Sequence, residues 1–428
     1  AYRQPGSTAK PLFDYGPGFE YNDFSTYTLF NDEPWTYTNG PSVGNWDNKY
    51  QGLITLKQAV SVSRNVPALK AFQQVDKKNI AKFVSSLGID IAYSTKDENY
   101  KKYDNGGDNI LNEAYSIGGM SYGVTPLEMA EAYASFANGG YHIESHAVIK
   151  IEYRNSDETI VTSDLKEYQK EKVMSDSTAY LMNNVLQYAV EYGFSGGARV
   201  YGSTVAAKTG TSNWSSTAKN GMAGKSRDLW MSAYTSDYIC SVWMGFGKEG
   251  IDKGKTTSQY KAYPGKVVQT LLNHLQSKGS QKSYPDQPDD VEQAAMVKGI
   301  YPYVSPSEGM SEDMIIQAWF KKGTAPAQSV DSDVFNLAGL SSFDVSLSGQ
   351  SITFNFAPYN PENAVTDENA NDATKTFGKV VYTVVVQDQN GQELHRENFS
   401  TSSGTLNYTV NQNVKVIGFY NYERAPER

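Results

Sequence analysis

Three short motifs follow one another along this 428-residue chain, and they constrain its fold and chemistry more than any other feature of the sequence. They are Ser7-Thr8-Ala9-Lys10, Ser63-Arg64-Asn65 and Lys208-Thr209-Gly210-Thr211. Each motif alone is weak, because a Ser-x-x-Lys spacing is common on solvated helix turns and the others resemble a polar turn and a strand end. The three together, in this order, predict a functional site.

The first motif provides a nucleophile and a base. A serine hydroxyl is a weak nucleophile at its ordinary pKa and needs a base within hydrogen-bond reach. On a helix, residues three apart share a face, so Ser7 and Lys10 would lie side by side. Burial next to other cations lowers the pKa of an amine, so a neutral lysine can accept the serine proton. The motif therefore predicts a Ser-Lys variant of the catalytic triad.

Histidine, the more usual base, is scarce in this chain. The four histidines are His142, His146, His274 and His395. None has an obvious serine and carboxylate partner in the sequence, which leaves Lys10 as the candidate base.

A second copy of the first motif, with the same four letters, occurs at Ser216-Thr217-Ala218-Lys219. It lies in a stretch from Thr211 to Gly224 that is rich in Ser, Thr, Asn and Gly, which predicts a loop between strands. The turn Gln4-Pro5-Gly6 before Ser7 instead predicts a helix start, where a serine can also be a simple N-cap. We therefore expect the nucleophile at Ser7.

Longer runs of sequence surround these motifs. One is Arg3 to Leu12, a second is Ser116 to Gly140, and a third is Asp228 to Phe246. Together with the arginine at position 64, they resemble the transpeptidase region of class A (bifunctional) penicillin-binding proteins, whose motif set the three segments match. The resemblance covers roughly residues 1 to 280 and suggests a Gram-positive bacterium.

The resemblance implies an α/β (α+β) fold, the transpeptidase fold shared with serine β-lactamases, in which helices flank a central antiparallel sheet. The residues agree with it. Leu229 to Thr235 and Tyr238 to Phe246 are apolar runs on either side of a short turn, which predicts a hairpin beside the Lys208 strand. Ser177 to Tyr192 has the apolar spacing of an amphipathic helix.

The resemblance also implies a catalytic role for five residues. Ser7 would attack the carbonyl of a D-Ala-D-Ala stem peptide, and Lys10 would accept its proton. Ser63 would relay that proton to the departing D-alanine, with Lys208 close enough to tune it. Asn65 would hydrogen-bond the amide of the acyl chain.

The third motif would hold the substrate. The hydroxyls of Thr209 and Thr211, on either side of Gly210, would bind the substrate carboxylate. The backbone N–H groups of Ser7 and Thr211 would form the oxyanion hole, where each fixed donor can be worth about 100- to 1000-fold in rate.

The composition changes after about residue 280, which predicts more than one domain. We expect a transpeptidase domain over 1–280, lacking its N-terminal part, and a polar, Pro/Asp-rich linker or irregular segment over 281–330 with one short helix at Asp313 to Lys321. Alternating segments and an Asn390-Gly391 turn predict a small β-sandwich over 331–428, of immunoglobulin or fibronectin III type.

Charge and composition restrict the possible partners. The net charge of −9 argues against nucleic acid. The single cysteine, Cys240, permits no intrachain disulfide. The sequence contains no run of 18 apolar residues, the length that would span a membrane. The resemblance implies no metal or other cofactor. Its implied partners are peptidoglycan stem peptides, lipid-linked precursor strands and β-lactam antibiotics.

The position of Ser7, so close to the first residue, makes us expect a missing N-terminal fragment. The resemblance implies that the full-length protein carries a glycosyltransferase domain and a membrane anchor that this chain lacks. The full-length protein would work at the extracellular face of the cytoplasmic membrane, in the cell wall compartment.

Two alternatives remain beside a transpeptidase. A class A β-lactamase uses a carboxylate to activate a deacylating water, but no such glutamate can be placed here and the chain is far longer than a lone hydrolase domain. A penicillin-sensing receptor domain shares the first motif, but the runs around Thr125 and Asp228 favour the synthase.

Aromatic residues make up 13% of the chain. A group in the first 50 residues could stack on sugar or peptide, although surface tyrosines without a ligand are more common. The group consists of Tyr15, Tyr21, Tyr27, Trp35, Tyr37 and Trp46.

Overall fold

The computed structural model describes residues 2–423 with the exception of 105, 220, 248–249, 251–252, 278–282, 299–302, 308–309, 311, 328, 331–336, 338 and 360–378. The chain forms two units. Unit 1 consists of Ala1–Gln293 and Trp319–Ala325, and unit 2 of Ala294–Ala318 and Pro326–Arg428. Among the described residues, no helix combines the length and the apolar composition that crossing a membrane requires.

Unit 1 consists of helices packed around a sheet. Its α-helices are α1 (Gly16–Tyr21), α2 (Leu56–Ser61), α3 (Asn65–Gln74), α4 (Lys77–Ser86), α5 (Pro126–Ala137), α6 (Asp176–Tyr192) and α7 (Tyr263–Gln276). Its strands are β1 (Leu29–Asp32), β2 (Trp35–Thr36), β3 (Ser42–Val43), β4 (Gly52–Thr55), β5 (Tyr141–His142), β6 (Lys150–Glu152), β7 (Thr159–Val161), β8 (Glu171–Lys172), β9 (Ala206–Asn213), β10 (Ser226–Tyr234) and β11 (Ile239–Met244). Short 3₁₀ turns cover Gly6–Ala9, Glu113–Ile117, Thr162–Asp164, Lys166–Tyr168, Phe194–Ala198 and Ser258–Tyr260, and a π-helical turn covers Pro11–Tyr15.

The central sheet of unit 1 has the strand order β11-β10-β9 and is antiparallel. The pairing of β10 with β11 across a short turn is the predicted hairpin. On its other side β10 pairs with β9, which places Lys208 opposite Ser232 and Gly210 opposite Trp230. The predicted central antiparallel sheet is confirmed.

Helices cover both faces of this sheet. Side chains alternate between the two faces along a strand, so one strand can contribute to two buried clusters. Trp230 and Tyr234 of β10 pack in the main core, which also contains buried residues of α5 and α6. Met231 and Ala233 pack instead in a second cluster with Val268 of α7. The expectation of a sheet flanked by helices is therefore confirmed.

Helix α6 forms where the apolar spacing predicts it. Ser175 caps its first turn by accepting a hydrogen bond from the backbone N–H of Thr178. Its predicted apolar face, including Leu181 and Val185, is fully buried. The helix thus contributes its apolar face to the main core.

Unit 2 is rich in strands. Strands β12 (Val291–Val297) and β14 (Ile315–Lys321) pair with each other and carry the chain between the units. The further strands are β13 (Ser305–Pro306), β15 (Ser329–Val330), β16 (Phe343–Ser348), β17 (Ser351–Phe356), β18 (Val380–Gln387), β19 (Glu393–Phe399), β20 (Ser403–Thr409) and β21 (Lys415–Tyr422).

Two three-stranded antiparallel sheets form the larger part of unit 2, with the orders β16-β17-β20 and β19-β18-β21. Phe354 and Leu406 of the first sheet share one buried cluster with Val384 and Val386 of the second. Two sheets that share a core form a β-sandwich. The predicted start of this region at 331 lies outside the described residues. Its classification as immunoglobulin or fibronectin III type stays a prediction.

Part of the segment over 281–330, predicted to be a linker, has regular structure. The helix predicted for Asp313 to Lys321 is wrong, because Glu312–Met314 form a 3₁₀ turn and β14 follows. Ala318 and Phe320 are buried in the period of two that a strand requires. Residues 319–325 belong to unit 1, where the backbone of Trp319 hydrogen-bonds Thr26 at 2.9 and 3.1 Å.

Candidate active site

The three motifs meet at one cleft in unit 1. Ser7 lies on the first 3₁₀ turn, Ser63 lies between α2 and α3, and the third motif lies on β9. The cleft has a volume of about 1110 Å³. Among the residues that line it are Ser7, Ser63, Asn65, Thr209, Gly210 and Thr211.

The turn that carries Ser7 packs so closely against β9 that only glycine fits at the contact. Gly6 has a φ of +54°, and a Cβ there would lie 2.5 Å from the carbonyl oxygen of Thr211. A Cβ on Gly210 would lie 2.3 Å from the carbonyl oxygen of Pro5. The backbones that carry the N–H groups of Ser7 and Thr211 are therefore neighbours, as an oxyanion hole requires.

Lys10 is fully buried and hydrogen-bonds to the second motif. Its Nζ donates to the backbone oxygens of Ser63 and Arg64 and to Oδ1 of Asn65, each at 2.8 Å. Burial, followed by the charge of Lys208, lowers the pKa of Lys10 well below its ordinary value. Among the hydrogen bonds between described residues, none joins Lys10 Nζ directly to Ser7 Oγ.

Ser63 lies between two buried amines. Its Oγ is 3.4 Å from Lys10 Nζ and accepts a hydrogen bond from Lys208 Nζ at 2.9 Å. The residue has a φ of +56°, a left-handed conformation that is uncommon for any residue with a side chain. Such strain persists where the surrounding structure enforces it, and it often marks a functional site.

Asn65 is fixed by three neighbours. Its Oδ1 accepts from Lys10 Nζ, and its Nδ2 donates to the carbonyl oxygen of Gly44 at 2.8 Å. Its backbone N–H donates to Oδ1 of Asn45, also at 2.8 Å. The amide is therefore oriented before any substrate arrives.

A buried network holds the second motif from behind. The Arg64 guanidinium is completely buried and pairs with Asp32 at 2.8 Å and Asp47 at 2.9 Å. It also donates to the carbonyl oxygen of Lys49. Asn45 donates to Asp32 at 2.7 Å and thereby joins the same network. Removal of one partner from such a network leaves a charge buried and unpaired, which costs about 3 to 5 kcal/mol.

Sequence analysis missed Asp32, Asp47 and Asn45. A buried arginine needs carboxylate partners, and Arg64 in the second motif was the available signal. The chain has 47 acidic residues, however, and nothing in the sequence says which of them approach Arg64.

Asp228 holds the other side of the cleft. Ser212 Oγ on β9 donates to its Oδ2 at 2.5 Å, and the Trp243 indole N–H donates to its Oδ1 at 3.0 Å. These bonds fix the strand that presents Thr209 and Thr211. Asp228 begins one of the runs that carried the family resemblance, but sequence alone did not assign it this role.

The second Ser-Thr-Ala-Lys copy lies away from this network. Ser216 is on an exposed turn of the loop between β9 and β10, and Lys219 is exposed in the same loop. The predicted loop is present, but it begins later than expected because strand β9 extends to Asn213. In the described parts of the chain, no group of three His, Cys, Asp or Glu side chains is placed to hold a metal ion.

Lys208 should make the stability of the protein depend on pH. Burial lowers its pKa from 10.5 to about 7. Between these values the unfolded chain binds a proton that the folded chain does not, so the free energy of unfolding rises as pH increases. Between pH 7.5 and 9.5 we expect the free energy of unfolding of the wild type to rise by about 2 kcal/mol more than that of Lys208→Met.

Urea unfolding of both proteins at the two pH values would measure this difference. The comparison with the variant cancels the contribution of other titrating groups. An equal pH dependence in wild type and variant would show that Lys208 is already charged in the folded protein at neutral pH.

The sequence of the chain has known relatives. The penicillin binding protein transpeptidase domain family matches residues 2–257. Penicillin-binding protein 1A/1B of Bacillus subtilis (strain 168) is 36% identical over 329 residues, which are 76% of this chain and 34% of that relative. Penicillin-binding protein 1A of Streptococcus pneumoniae is 32% identical over 293 residues, which are 65% of this chain and 37% of that relative. The chain thus spans about a third of the length of these relatives.

Solved structures share the fold. The penicillin-binding protein PonA1 of Mycobacterium tuberculosis matches with a TM-score of 0.55 and 19% identity, over 68% of this chain and 73% of that chain. Penicillin-Binding Protein 1A of Haemophilus influenzae matches with a TM-score of 0.56 and 19% identity, over 77% of this chain and 49% of that chain. The resemblance in the motif regions is therefore confirmed, and the chain belongs to the penicillin-binding protein transpeptidase family, with class A members among its relatives.

Proposed function

We propose that the chain is a D-Ala-D-Ala transpeptidase that works through an acyl-enzyme on Ser7. Ser7 Oγ attacks the carbonyl carbon of the penultimate D-alanine of a stem peptide, and its proton passes to Lys10 Nζ. The backbone N–H groups of Ser7 and Thr211 stabilise the oxyanion. The C–N bond to the terminal D-alanine then breaks, and Ser63 Oγ passes the proton to the departing amine.

The second half of the reaction resolves the acyl-enzyme. The amine of another stem peptide attacks the ester carbonyl, an amide bond forms, and Ser7 regains its proton. The new amide links two glycan strands. A β-lactam undergoes only the first half, because opening of its ring leaves the amine tethered to the acyl group and the ester on Ser7 persists.

One observation carries this proposal, namely the position of Ser63 Oγ between two buried amines. Lys208 lies 2.9 Å from it and Lys10 lies 3.4 Å from it. Burial lowers the pKa of both lysine amines, so a proton taken up by one amine can pass to the other through the intervening hydroxyl. The base that activates Ser7 and the acid that protonates the leaving group are thereby connected.

The remaining motif residues bind substrate. Asn65, oriented by its neighbours, offers its amide to the acyl chain. The hydroxyls of Thr209 and Thr211, with Gly210 between them, bind the substrate carboxylate. Their exposure to the cleft supports this assignment.

The relatives support a setting for the reaction. PonA1 of Mycobacterium tuberculosis has a solved structure in complex with penicillin V, which supports β-lactams as ligands here. The partners are peptidoglycan stem peptides and lipid-linked precursor strands at the extracellular face of the cytoplasmic membrane. A glycosyltransferase domain and a membrane anchor belong to the full-length protein. The β-sandwich of unit 2 is a domain of its own.

Two assays test the proposal. The first is mass spectrometry of the intact protein after incubation with penicillin. The second is a separate incubation of the protein with a D-Ala-D-Ala peptide and an amine acceptor. We expect one stable adduct and formation of the cross-linked product. An adduct that hydrolyses within seconds would support a β-lactamase instead. A stable adduct with no peptide product would support a penicillin-sensing receptor.

A further inference from the structure

Asp14 is a buried carboxyl group that the proposed reaction leaves unused. Its exposure is 0%, and among the described residues neither of its carboxylate oxygens has a hydrogen-bond partner. Burial of a polar group without a partner is costly. A carboxyl group that persists in such a place calls for an explanation, and a role in catalysis is one of the usual ones.

Asp14 lies one helical turn after Lys10. Residues four apart share one face of a helix, so the two side chains belong to the same face. The intervening π-helical turn is closed by a hydrogen bond from the backbone N–H of Gly16 to the carbonyl oxygen of Pro11. Turns of this kind occur frequently at functional sites. Lys10 is as completely buried as Asp14, so water screens the charges of the two groups little.

The other buried carboxylates of unit 1 already have partners. Among its described residues, the buried charged side chains are Asp14, Asp32, Asp228, Lys10, Arg64 and Lys208. Asp32 pairs with Arg64 at 2.8 Å. Asp228 accepts hydrogen bonds from Ser212 and Trp243. Asp14 is thus the buried carboxyl group that is left for a buried lysine, and the charge that acts on it is that of Lys10.

The charged side chains on the neighbouring elements are engaged elsewhere. The π-helical turn packs against α1, α3, α4 and the turn Glu113–Ile117, which together carry Glu20, Lys70, Lys77, Lys78, Lys82 and Glu113. The three lysines of α4 are exposed. Lys70 pairs with Glu33 at 2.6 Å. Glu20 accepts a hydrogen bond from Ser175, and Glu113 accepts one from Thr38.

Two tyrosines also respond to Asp14. Burial, followed by the charges of Asp14 and Asp32, raises the pKa of Tyr15 well above its ordinary value. Burial, followed by the charges of Glu113 and Asp14, raises the pKa of Tyr37. Both hydroxyls are therefore neutral at neutral pH and supply no counter-charge for an ammonium ion. The complete burial of Tyr15 also excludes it from the ligand stacking considered for the aromatic group.

The proposed reaction changes the charge of Lys10. Its amine becomes an ammonium ion when it accepts the proton of Ser7, and the charges of Lys208 and Arg64 oppose that change. With a carboxylate at Asp14, proton uptake takes the pair of Lys10 and Asp14 from negative to neutral. Without the carboxylate, the same step would take Lys10 from neutral to positive beside two other cationic groups.

We propose that Asp14 is a positioning residue for acylation, which acts through Lys10 as the counter-charge of the ammonium ion that forms when Ser7 loses its proton. This inference rests on the proposed function. Asp14 itself neither gives nor takes a proton in the step. A buried carboxylate is least costly while its neighbour is positive, so Asp14 stabilises the charged state of Lys10 more than the neutral one.

The pH dependence of acylation by penicillin in Asp14→Asn tests this role. The Asp14 carboxylate raises the pKa of Lys10, so its loss should lower that pKa and leave the amine neutral down to a lower pH. We expect the midpoint of the acidic fall in rate to move down by about one pH unit. A weaker base also removes the Ser7 proton less readily, so the rate on the alkaline plateau should fall about 3- to 10-fold.

Asp14→Leu provides a second variant that removes the charge and the buried polar atoms together. It should share the pH profile of Asp14→Asn. Its unfolding temperature should be no lower than that of wild type, because an apolar group replaces an unpartnered carboxyl group. Asp23→Asn is the matched control, since Asp23 is an exposed carboxyl group of the same segment. It should keep the profile of wild type.

The outcomes separate this inference from the proposed function. A wild-type profile in both Asp14 variants would show that Lys10 senses no charge at Asp14, and it would overturn the inference alone. Slower acylation with a midpoint that does not move down would indicate a merely structural role and would overturn it as well. Failure of wild type to react with penicillin at any pH would overturn the proposed function, and the role of Asp14 with it.

Discussion

Ser7→Ala is expected to abolish covalent labelling by penicillin, whereas Ser216→Ala should be labelled as wild type is. Both serines begin the letters Ser-Thr-Ala-Lys, so the sequence motif alone does not separate them. Ser7 lines the cleft, and the lysine of its motif, Lys10, is fully buried. Ser216 lies on an exposed loop, and Lys219 in the same loop is exposed as well.

Digestion of the labelled protein and mapping of the adduct would measure this difference. One modified peptide is expected, containing Ser7. The Ser216→Ala protein controls for nonspecific acylation of exposed hydroxyls, because it should yield the same peptide in the same amount. An adduct that survives Ser7→Ala would remove the basis for the whole mechanism.

The contrast between the two copies explains how far the sequence reaches. The Pro5-Gly6 turn distinguished the first copy, and the structure places Gly6 where any larger residue would strike the Thr211 backbone. The loop character of the second copy followed from its polar composition. Local chemistry of this kind can be predicted because it depends on neighbours in the chain.

The central sheet was predictable for the same reason. The hairpin of β10 and β11 is local in sequence and consists of two apolar runs. The alternation of Trp230 with Met231 between two cores then follows from strand geometry. By contrast, β12 and β14 are separated by a long connection, and the apolar residues between Asp313 and Lys321 fit a helix as well as a strand.

The network behind the second motif could not be predicted, because it is a long-range arrangement of charges. Arg64 is bound by Asp32 and Asp47, which lie 32 and 17 residues away in the chain. Electrostatic partners have no periodicity in the sequence, and their pairing is fixed only when the fold brings them together.

The spacing of the first motif also predicted the surroundings of Lys10 only in part. A spacing of three residues on a helix suggested that Lys10 lies beside Ser7, but the Lys10 amine hydrogen-bonds to the second motif. Lys10 therefore has a structural role in the folded protein beside its proposed catalytic one. It is the candidate base for Ser7, and it fixes the backbone of Ser63 and the side chain of Asn65.

Lys10→Ala should therefore reduce acylation of Ser7 by about 100- to 10,000-fold, the usual contribution of a general base. Loss of its hydrogen bonds to buried acceptors should also lower the free energy of unfolding by about 1 to 3 kcal/mol. Thermal unfolding checks that the variant is folded at the assay temperature. The rate of penicillin labelling then reports the chemistry.

Lys10→Arg separates a base from a charge. Arginine keeps a cation at this position but stays protonated at any pH the protein tolerates, so it should be as slow as the alanine variant. If the amine served only to attract the substrate, arginine would instead retain much of the rate. Full labelling of either variant at neutral pH would contradict the assignment of Lys10 as the base.

The pH dependence of labelling provides the remaining argument. Only the neutral amine accepts a proton, so the rate in wild type should fall as pH drops below the pKa of Lys10. Burial and the charges of Lys208 and Arg64 lower that pKa, while Asp14 and Asp32 raise it. Asp14 is itself fully buried, and burial raises its pKa well above the ordinary value, which weakens its opposition to this lowering. Wild type should therefore label efficiently far below pH 10.5, the ordinary pKa of lysine, and a profile that rises only near that value would mean that the buried amine is charged in the resting protein.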